Sequence, residues 1–150
     1  MTQEQFIQAT KQAALNVAGK YGLNPYVTMA QSALETGWGK SAPGNMYFGI
    51  KASSTWSGKT QLLWTKEFIN GKYTSVQALF RAYNTPEESF EDYAKLITSK
   101  SWFKKALQYV DNELQYITEI QKGGYATDPE YITKIMNIVA TLKKKLILKP

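Results

Sequence analysis

The sequence predicts a mainly α-helical single domain with one small β-hairpin inserted between its helices. Three observations carry that prediction. Apolar residues recur at helical spacing in several separate windows, most of those windows open on a capping residue or an early proline, and a single stretch beginning at Gln61 switches to period two around an Asn-Gly turn. The 150 residues, 43% of them apolar, suit one domain with its own core, so residues 1–150 are read as a single domain with the hairpin at about 61–80. No repeat or low-complexity segment interrupts it.

Thr2 with Gln5 three residues on forms a capping box, and Phe6, Thr10, Ala13, Ala14 and Val17 give one apolar face, so the first helix is expected over Gln3 to Lys20. Asn24 followed by Pro25 starts a second helix that Gly37 stops, over Pro25 to Thr36. Gly37 to Gly44 reads as a loop, Asn45 to Lys51 as neither helix nor strand, and Ala52 to Gly58 as a turn whose Trp56 suits either the core or a sugar platform. In the hairpin, Leu63, Thr65, Glu67 and Ile69 fall on one face and Trp64, Lys66 and Phe68 on the other, with Asn70-Gly71 as the turn and the chain returning from Lys72 to Val76. Thr85-Pro86 opens a third helix to about Lys100. Ser101 can cap a further helix through Val110, Asn112 to Gln121 forms another, and Asp128-Pro129-Glu130 opens the last, with Ile132, Ile135, Met136, Val139 and Leu142 on its apolar face. Lys143, Lys144 and Lys145 suit the C-terminal dipole of that helix better than a nucleic-acid site.

Composition removes several chemistries. Cysteine and histidine are both absent, which excludes disulfides, thiol nucleophiles, Ser-His-Asp or Cys-His arrangements and the usual zinc sites. No cofactor or metal is expected, and acid–base work falls to carboxylates, tyrosine and lysine. A net charge of +6 favours an anionic partner, but no Lys/Arg cluster is dense enough to indicate nucleic acid. A 13% aromatic share, with ten tyrosines and four tryptophans, suits a ligand that stacks. The N-terminus has neither a basic nor an apolar leader region, and no run reaches the roughly 20 apolar residues of a membrane span. No membrane insertion is expected. The expectation is a chain that stays cytoplasmic until another factor releases it, or a domain of a longer secreted protein.

Most of the twelve acids read as caps or solvated charges: Glu88, Asp128 and Glu130 at helix starts, Glu87, Glu91 and Asp92 in an exposed first turn. Two stand apart. Glu35 ends an apolar helix, at the negative end of its dipole and next to Leu34 and Trp38. Both settings disfavour the ionised form and point to a raised pKa, as a general acid requires. Position alone leaves an ordinary last-turn glutamate equally open. Glu67 lies on a hairpin able to fold over Glu35, and one protonated and one ionised carboxylate are the minimum for glycosidic cleavage. The hairpin by itself equally allows a solvated glutamate paired with lysine across the strands.

The stretch Gln31-Ser32-Ala33-Leu34-Glu35-Thr36-Gly37-Trp38-Gly39-Lys40-Ser41, with Ala42-Pro43, Asn45 and Phe48-Gly49-Ile50-Lys51, closely resembles the core motif of the family 73 peptidoglycan glucosaminidases. The likeness continues through Thr65-Lys66-Glu67-Phe68 with Asn70-Gly71, then Phe80-Arg81-Ala82-Tyr83, then Gly124-Tyr125-Ala126-Thr127-Asp128-Pro129-Glu130-Tyr131, and covers about Thr2 to Leu142. It implies a lysozyme-like fold of the α+β kind and hydrolysis of the β-1,4 bond between N-acetylglucosamine and N-acetylmuramic acid, as in autolysins and phage lysins. It places the general acid at Glu35, with Glu67 or the substrate acetamido group assisting, and Tyr125 positioning that group. Trp38, Asn45, Phe48, Tyr83 and Tyr131 are expected to bind substrate. Peptidoglycan strands are the expected partner of a monomer. The rival readings are a muramidase or lytic transglycosylase on the same fold, or a non-catalytic wall-binding domain.

Overall fold

The helix α2 (Pro25–Thr36) is the axis around which the rest is built. The structure, a computed structural model, describes residues 1–148. Asn24 caps α2 by accepting the Val27 N–H at 3.0 Å, and Val27, Met29, Ala30 and Ala33 are fully buried. A helix buried on nearly every side must also satisfy its polar side chains. Thr28, Ser32 and Thr36 do so by donating to carbonyls of the preceding turn, at 2.8–2.9 Å.

Around α2 pack α1 (Gln3–Tyr21), α4 (Glu113–Lys122) and α5 (Tyr131–Lys145), with α3 (Pro86–Ser99) against α1. The first two helices match the sequence reading within one residue, and the capping box of Thr2 and Gln5 is formed from both sides. Phe6, Ala14, Phe90, Tyr93, Ile97, Tyr116, Ile117, Ile120, Ile135 and Leu142 close the core. Among the described residues no helix is long and apolar enough to cross a membrane, and no three carboxylates converge as a metal site would need.

The hairpin sits between α2 and α3 in the chain, as β1 (Thr60–Ile69) paired antiparallel with β2 (Lys72–Arg81). Asn70 and Gly71 both take positive φ, 52° and 78°, which a tight two-residue turn requires. The second strand runs past the expected Val76 to Arg81 because Ile50 to Ala52 pairs along its edge: Ala52 N–H donates to Leu79 and Arg81 N–H to Ile50, each at 2.9 Å. Beneath the hairpin Met46, Phe80 and Tyr83 form a small apolar cluster of their own, with Leu63, Ala78 and Trp56 against it.

Three expectations are corrected. Ser101–Tyr109 is a 3₁₀ helix, not an α-helix: Ser101 makes no cap, and the buried Phe103 and Ala106 are three residues apart, a spacing that a three-residue turn places on one face. The last helix begins at Tyr131, after Asp128 has accepted the Glu130 N–H at 2.8 Å. Asp92 is no solvated first-turn acid, since it holds Arg81 through both oxygens at 3.0–3.1 Å and accepts the Tyr83 hydroxyl at 2.5 Å. Glu91 likewise pairs with Lys20 at 2.8 Å and takes the Tyr21 hydroxyl.

Candidate active site

A groove of about 480 Å³ opens between the C-terminal end of α2, the inner face of the hairpin and the 124–131 segment. Phe48, Gly49 and Ile50 line its base.

Glu35 enters from α2. The helix ends immediately after it at Gly37, whose left-handed conformation (φ 60°) turns the chain away and leaves the carboxylate at the helix end. Gly49 lies directly against it. A Cβ on Gly49 would lie 2.6 Å from the Glu35 carboxyl carbon, and φ at Gly49 is +57°, so both space and backbone demand glycine. The Glu35 side chain keeps contact with water at the groove mouth while protein crowds it on the remaining sides. Among the described residues no donor is bonded to its carboxylate. This partial desolvation first, and the Glu67 charge second, raise its pKa to about 7.

Strand alternation sends Leu63, Thr65 and Glu67 inward and leaves Leu62, Trp64 and Lys66 outward. Glu67 thereby reaches the groove, where Lys51 Nζ pairs with Oε1 at 2.8 Å and the Thr127 hydroxyl donates to Oε2 at 3.3 Å. The same Thr127 oxygen accepts the Phe68 N–H at 3.2 Å. One residue on, the Tyr73 hydroxyl donates to Asp128 Oδ1 at 2.8 Å, and Lys134 pairs with Asp128 Oδ2 at 2.6 Å. The hairpin is thus pinned to the 124–131 segment beside its one acid.

Tyr125 crosses the groove wall, its hydroxyl 3.4 Å from the Phe48 carbonyl, among the rings of Tyr93, Phe103 and Tyr131. Burial first, then the neighbouring Tyr131 and Glu35, push its pKa well above the ordinary tyrosine value, so the phenol is a neutral donor. Phe48 lines the groove with its ring buried and stacked on Tyr93 at 4.1 Å. Tyr131 also lines it, its hydroxyl accepting from Gln31 Nε2 at 2.8 Å, while Tyr93 donates to Gln31 Oε1.

Of the residues expected from sequence, Glu35, Glu67, Tyr125, Phe48 and Tyr131 therefore meet in one groove. Trp38, Asn45 and Tyr83 do not line it. Trp38 takes positive φ (59°) and turns edge-on to Phe6 at 5.6 Å. Asn45 donates to the Tyr83 carbonyl at 3.1 Å, and Tyr83 is bound to Asp92 beside a separate cavity that also contains Trp56. Trp56 is half-buried under the Arg81 guanidinium, 4.6 Å from its ring. Sequence reasoning missed Gln31, Lys51, Thr127 and Trp102 as lining residues. Gln31 was findable, since it lies one turn before Glu35 on the same helix face.

The comparisons with known proteins place the chain in a family. Residues 11–144 match the Glucosaminidase family, described as mannosyl-glycoprotein endo-beta-N-acetylglucosaminidase. The chain is 34% identical over 147 residues to the peptidoglycan hydrolase FlgJ of Pseudomonas aeruginosa, covering 93% of this chain and 37% of that protein. It is 38% identical over 144 residues to the exo-glucosaminidase LytG of Bacillus subtilis, covering 91% of this chain and 50% of that one. A crystal structure of a peptidoglycan hydrolase mutant from Sphingomonas sp. A1 superposes with a TM-score of 0.88 at 35% identity, over 96% of this chain and 97% of that one. The chain spans half or less of the length of these two curated relatives. Its fold is the lysozyme-like one the sequence led us to expect.

Proposed function

The chain belongs to the glucosaminidase family of glycoside hydrolases, and from that membership we propose that it is an endo-β-N-acetylglucosaminidase cleaving the β-1,4 bond from N-acetylglucosamine to N-acetylmuramic acid in bacterial peptidoglycan. The observation that carries the mechanism is the Glu35 carboxyl, held at a pKa of about 7 in an open groove with no protein donor bonded to it among the described residues. Such a group is largely protonated at slightly acid pH and free to give its proton to the leaving glycosidic oxygen. Glu67, ion-paired with Lys51, supplies negative charge to an oxocarbenium-like transition state or orients the attacking water. The neutral Tyr125 hydroxyl supports a hydrogen bond to the substrate acetamido group, which is the alternative nucleophile. Phe48 and Tyr131 form the apolar floor. The partner is the glycan strand, the protein acts as a monomer, and its place of action is the cell wall.

Mass spectrometry of peptidoglycan digested by the protein and then reduced with borohydride tests the linkage. Reduced glucosamine ends are expected. Reduced muramic or anhydromuramic ends would replace the proposal with a muramidase or a transglycosylase. Internal cuts, seen as a fall in mean strand length before monosaccharide-scale products build up, distinguish endo from exo action. Glu35→Gln is expected to keep wall binding and lose lysis, and full lysis by that variant would remove Glu35 from the mechanism.

A further inference from the structure

The hairpin has a second face that the groove does not use. Of the nine exposed large apolar side chains among the described residues, five lie on the hairpin, and Leu62, Trp64 and Leu79 share this outer face by strand alternation and register. Register fixes how the outward face is laid out, with Leu62 opposite Leu79, Trp64 opposite Gln77 and Lys66 opposite Ser75. Trp64 is 70% exposed, so its cross-strand neighbours bury little of it and the fold gains little from having it there. An exposed apolar stripe of this kind marks a binding surface.

We propose that this outer face is a second glycan-binding site, taking a peptide-bearing wall strand other than the one in the groove. The proposal rests on peptidoglycan being the substrate. Three features select this occupant. Trp64 offers a flat apolar platform suited to the C–H face of a pyranose ring. Gln77 beside it and Ser75 one pair further provide donors and acceptors for hydroxyl and acetamido groups. Charge is complementary to the carboxylates of peptide stems: the hairpin's one acid, Glu67, points inward, while Lys66 on the outer face has no ion-pair partner among the described residues. A lipid-inserting face would have to bury the Gln77 amide at its centre without a partner. A second copy of the chain would set lysine against lysine.

Because side chains alternate along β1, Trp64 and Glu67 lie on opposite faces three residues apart, so a strand held outside leaves the groove open to its neighbour. In a cross-linked wall this keeps the enzyme at a place where further bonds lie within reach. Short soluble glycans, which fill only the groove, gain nothing from it.

The test uses pelleting with insoluble peptidoglycan in the Glu35→Gln background, together with activity measurements on insoluble wall and on a soluble peptidoglycan tetrasaccharide. Trp64→Ala is expected to weaken pelleting and insoluble-wall activity by about tenfold, with tetrasaccharide hydrolysis within about twofold of the parent, and Trp64→Phe to restore most of the loss. Unchanged pelleting by Trp64→Ala overturns the proposal while leaving the groove chemistry intact. Loss of tetrasaccharide hydrolysis with an unchanged melting temperature also overturns it, because Trp64 would then serve the groove. Trp64-dependent binding to phosphatidylglycerol vesicles, or Trp64-dependent dimerisation in sedimentation, would assign the face to lipid or to a second copy instead. Lysis by Glu35→Gln itself is the separate outcome that would bring down the acid assignment, not the outer site.

Discussion

At the scale of the residue, Glu35 and Gly49 form a unit. The carboxyl is raised from an ordinary 4.5 to about 7 by desolvation and then by Glu67. As the proposed general acid it works protonated, so kcat/KM is expected to fall on the alkaline side with an apparent pKa near 7, and Glu67→Gln should move that limb to lower pH without returning it to the ordinary value, because desolvation remains. Glu35→Gln should reduce turnover by about 10²- to 10⁴-fold, the usual weight of one general acid. The same shift has a consequence for stability. A raised carboxyl binds its proton more tightly folded than unfolded, so the native state loses stability as pH rises from 4.5 to about 7. Glu35→Gln lacks that titration, and its melting temperature relative to the parent should rise across this window and level off above it. Gly49→Ala should lower both activity and melting temperature, since the left-handed backbone costs an alanine about 1–2 kcal/mol and its methyl displaces the Glu35 carboxylate. An active, fully stable Gly49→Ala protein would show that the carboxylate does not depend on this contact.

At the scale of the element, the hairpin carries Glu67 on its inner face and depends on contacts near its tip to hold it there. Tyr73 to Asp128 is one of these, and Tyr73 is exposed, so Tyr73→Phe removes one hydroxyl without disturbing packing. A hydrogen bond of about 1 kcal/mol shifts the docked-to-undocked ratio by about fivefold. Steady-state kinetics should therefore show a several-fold loss of kcat/KM with almost no change in melting temperature, and unchanged kinetics would mean the Thr127 and Lys51 contacts suffice. These contacts mark the limit of what the sequence discloses. The strands, the Asn70-Gly71 turn and the inward side of Glu67 follow from local period and turn chemistry. Lys51 and Thr127 are separated from Glu67 by 16 and 60 residues, and no local rule brings them together. The same division explains Trp38: its place next to Glu35 in the chain suggested the groove, but the left-handed backbone at Gly37 and Trp38 sends the ring to Phe6 on α1. The Ser101–Tyr109 segment shows how a nine-residue amphipathic stretch leaves α and 3₁₀ periods hard to separate.

At the scale of the whole molecule, the two carboxylates proposed to be catalytic belong to parts of unequal stability. Glu35 ends a helix whose Val27, Met29, Ala30 and Ala33 are fully buried and which α1, α4 and α5 enclose. Glu67 lies near the tip of a hairpin whose base is held by the Met46, Phe80 and Tyr83 cluster and by the Ile50 to Ala52 edge, whereas its outer half is attached, among the described residues, only by ionic or single hydrogen bonds: Lys51 with Glu67, Tyr73 with Asp128 and Thr127 with Glu67. A hairpin of two strands is marginal by itself, and contacts of this type each contribute little in water. The hairpin should therefore open well before the helical body unfolds, leaving Glu35 fixed while Glu67 moves. Native-state hydrogen exchange can measure the difference directly. Amides of Leu63 to Phe68 and Thr74 to Ala78 are expected to exchange with a smaller opening free energy and a weaker denaturant dependence than those of Met29 to Ala33, and Tyr73→Phe should lower the first group while leaving the second unchanged. Equal opening energies for both groups would mean that hairpin and helices unfold as one cooperative unit, and that Glu67 is as rigidly placed as Glu35.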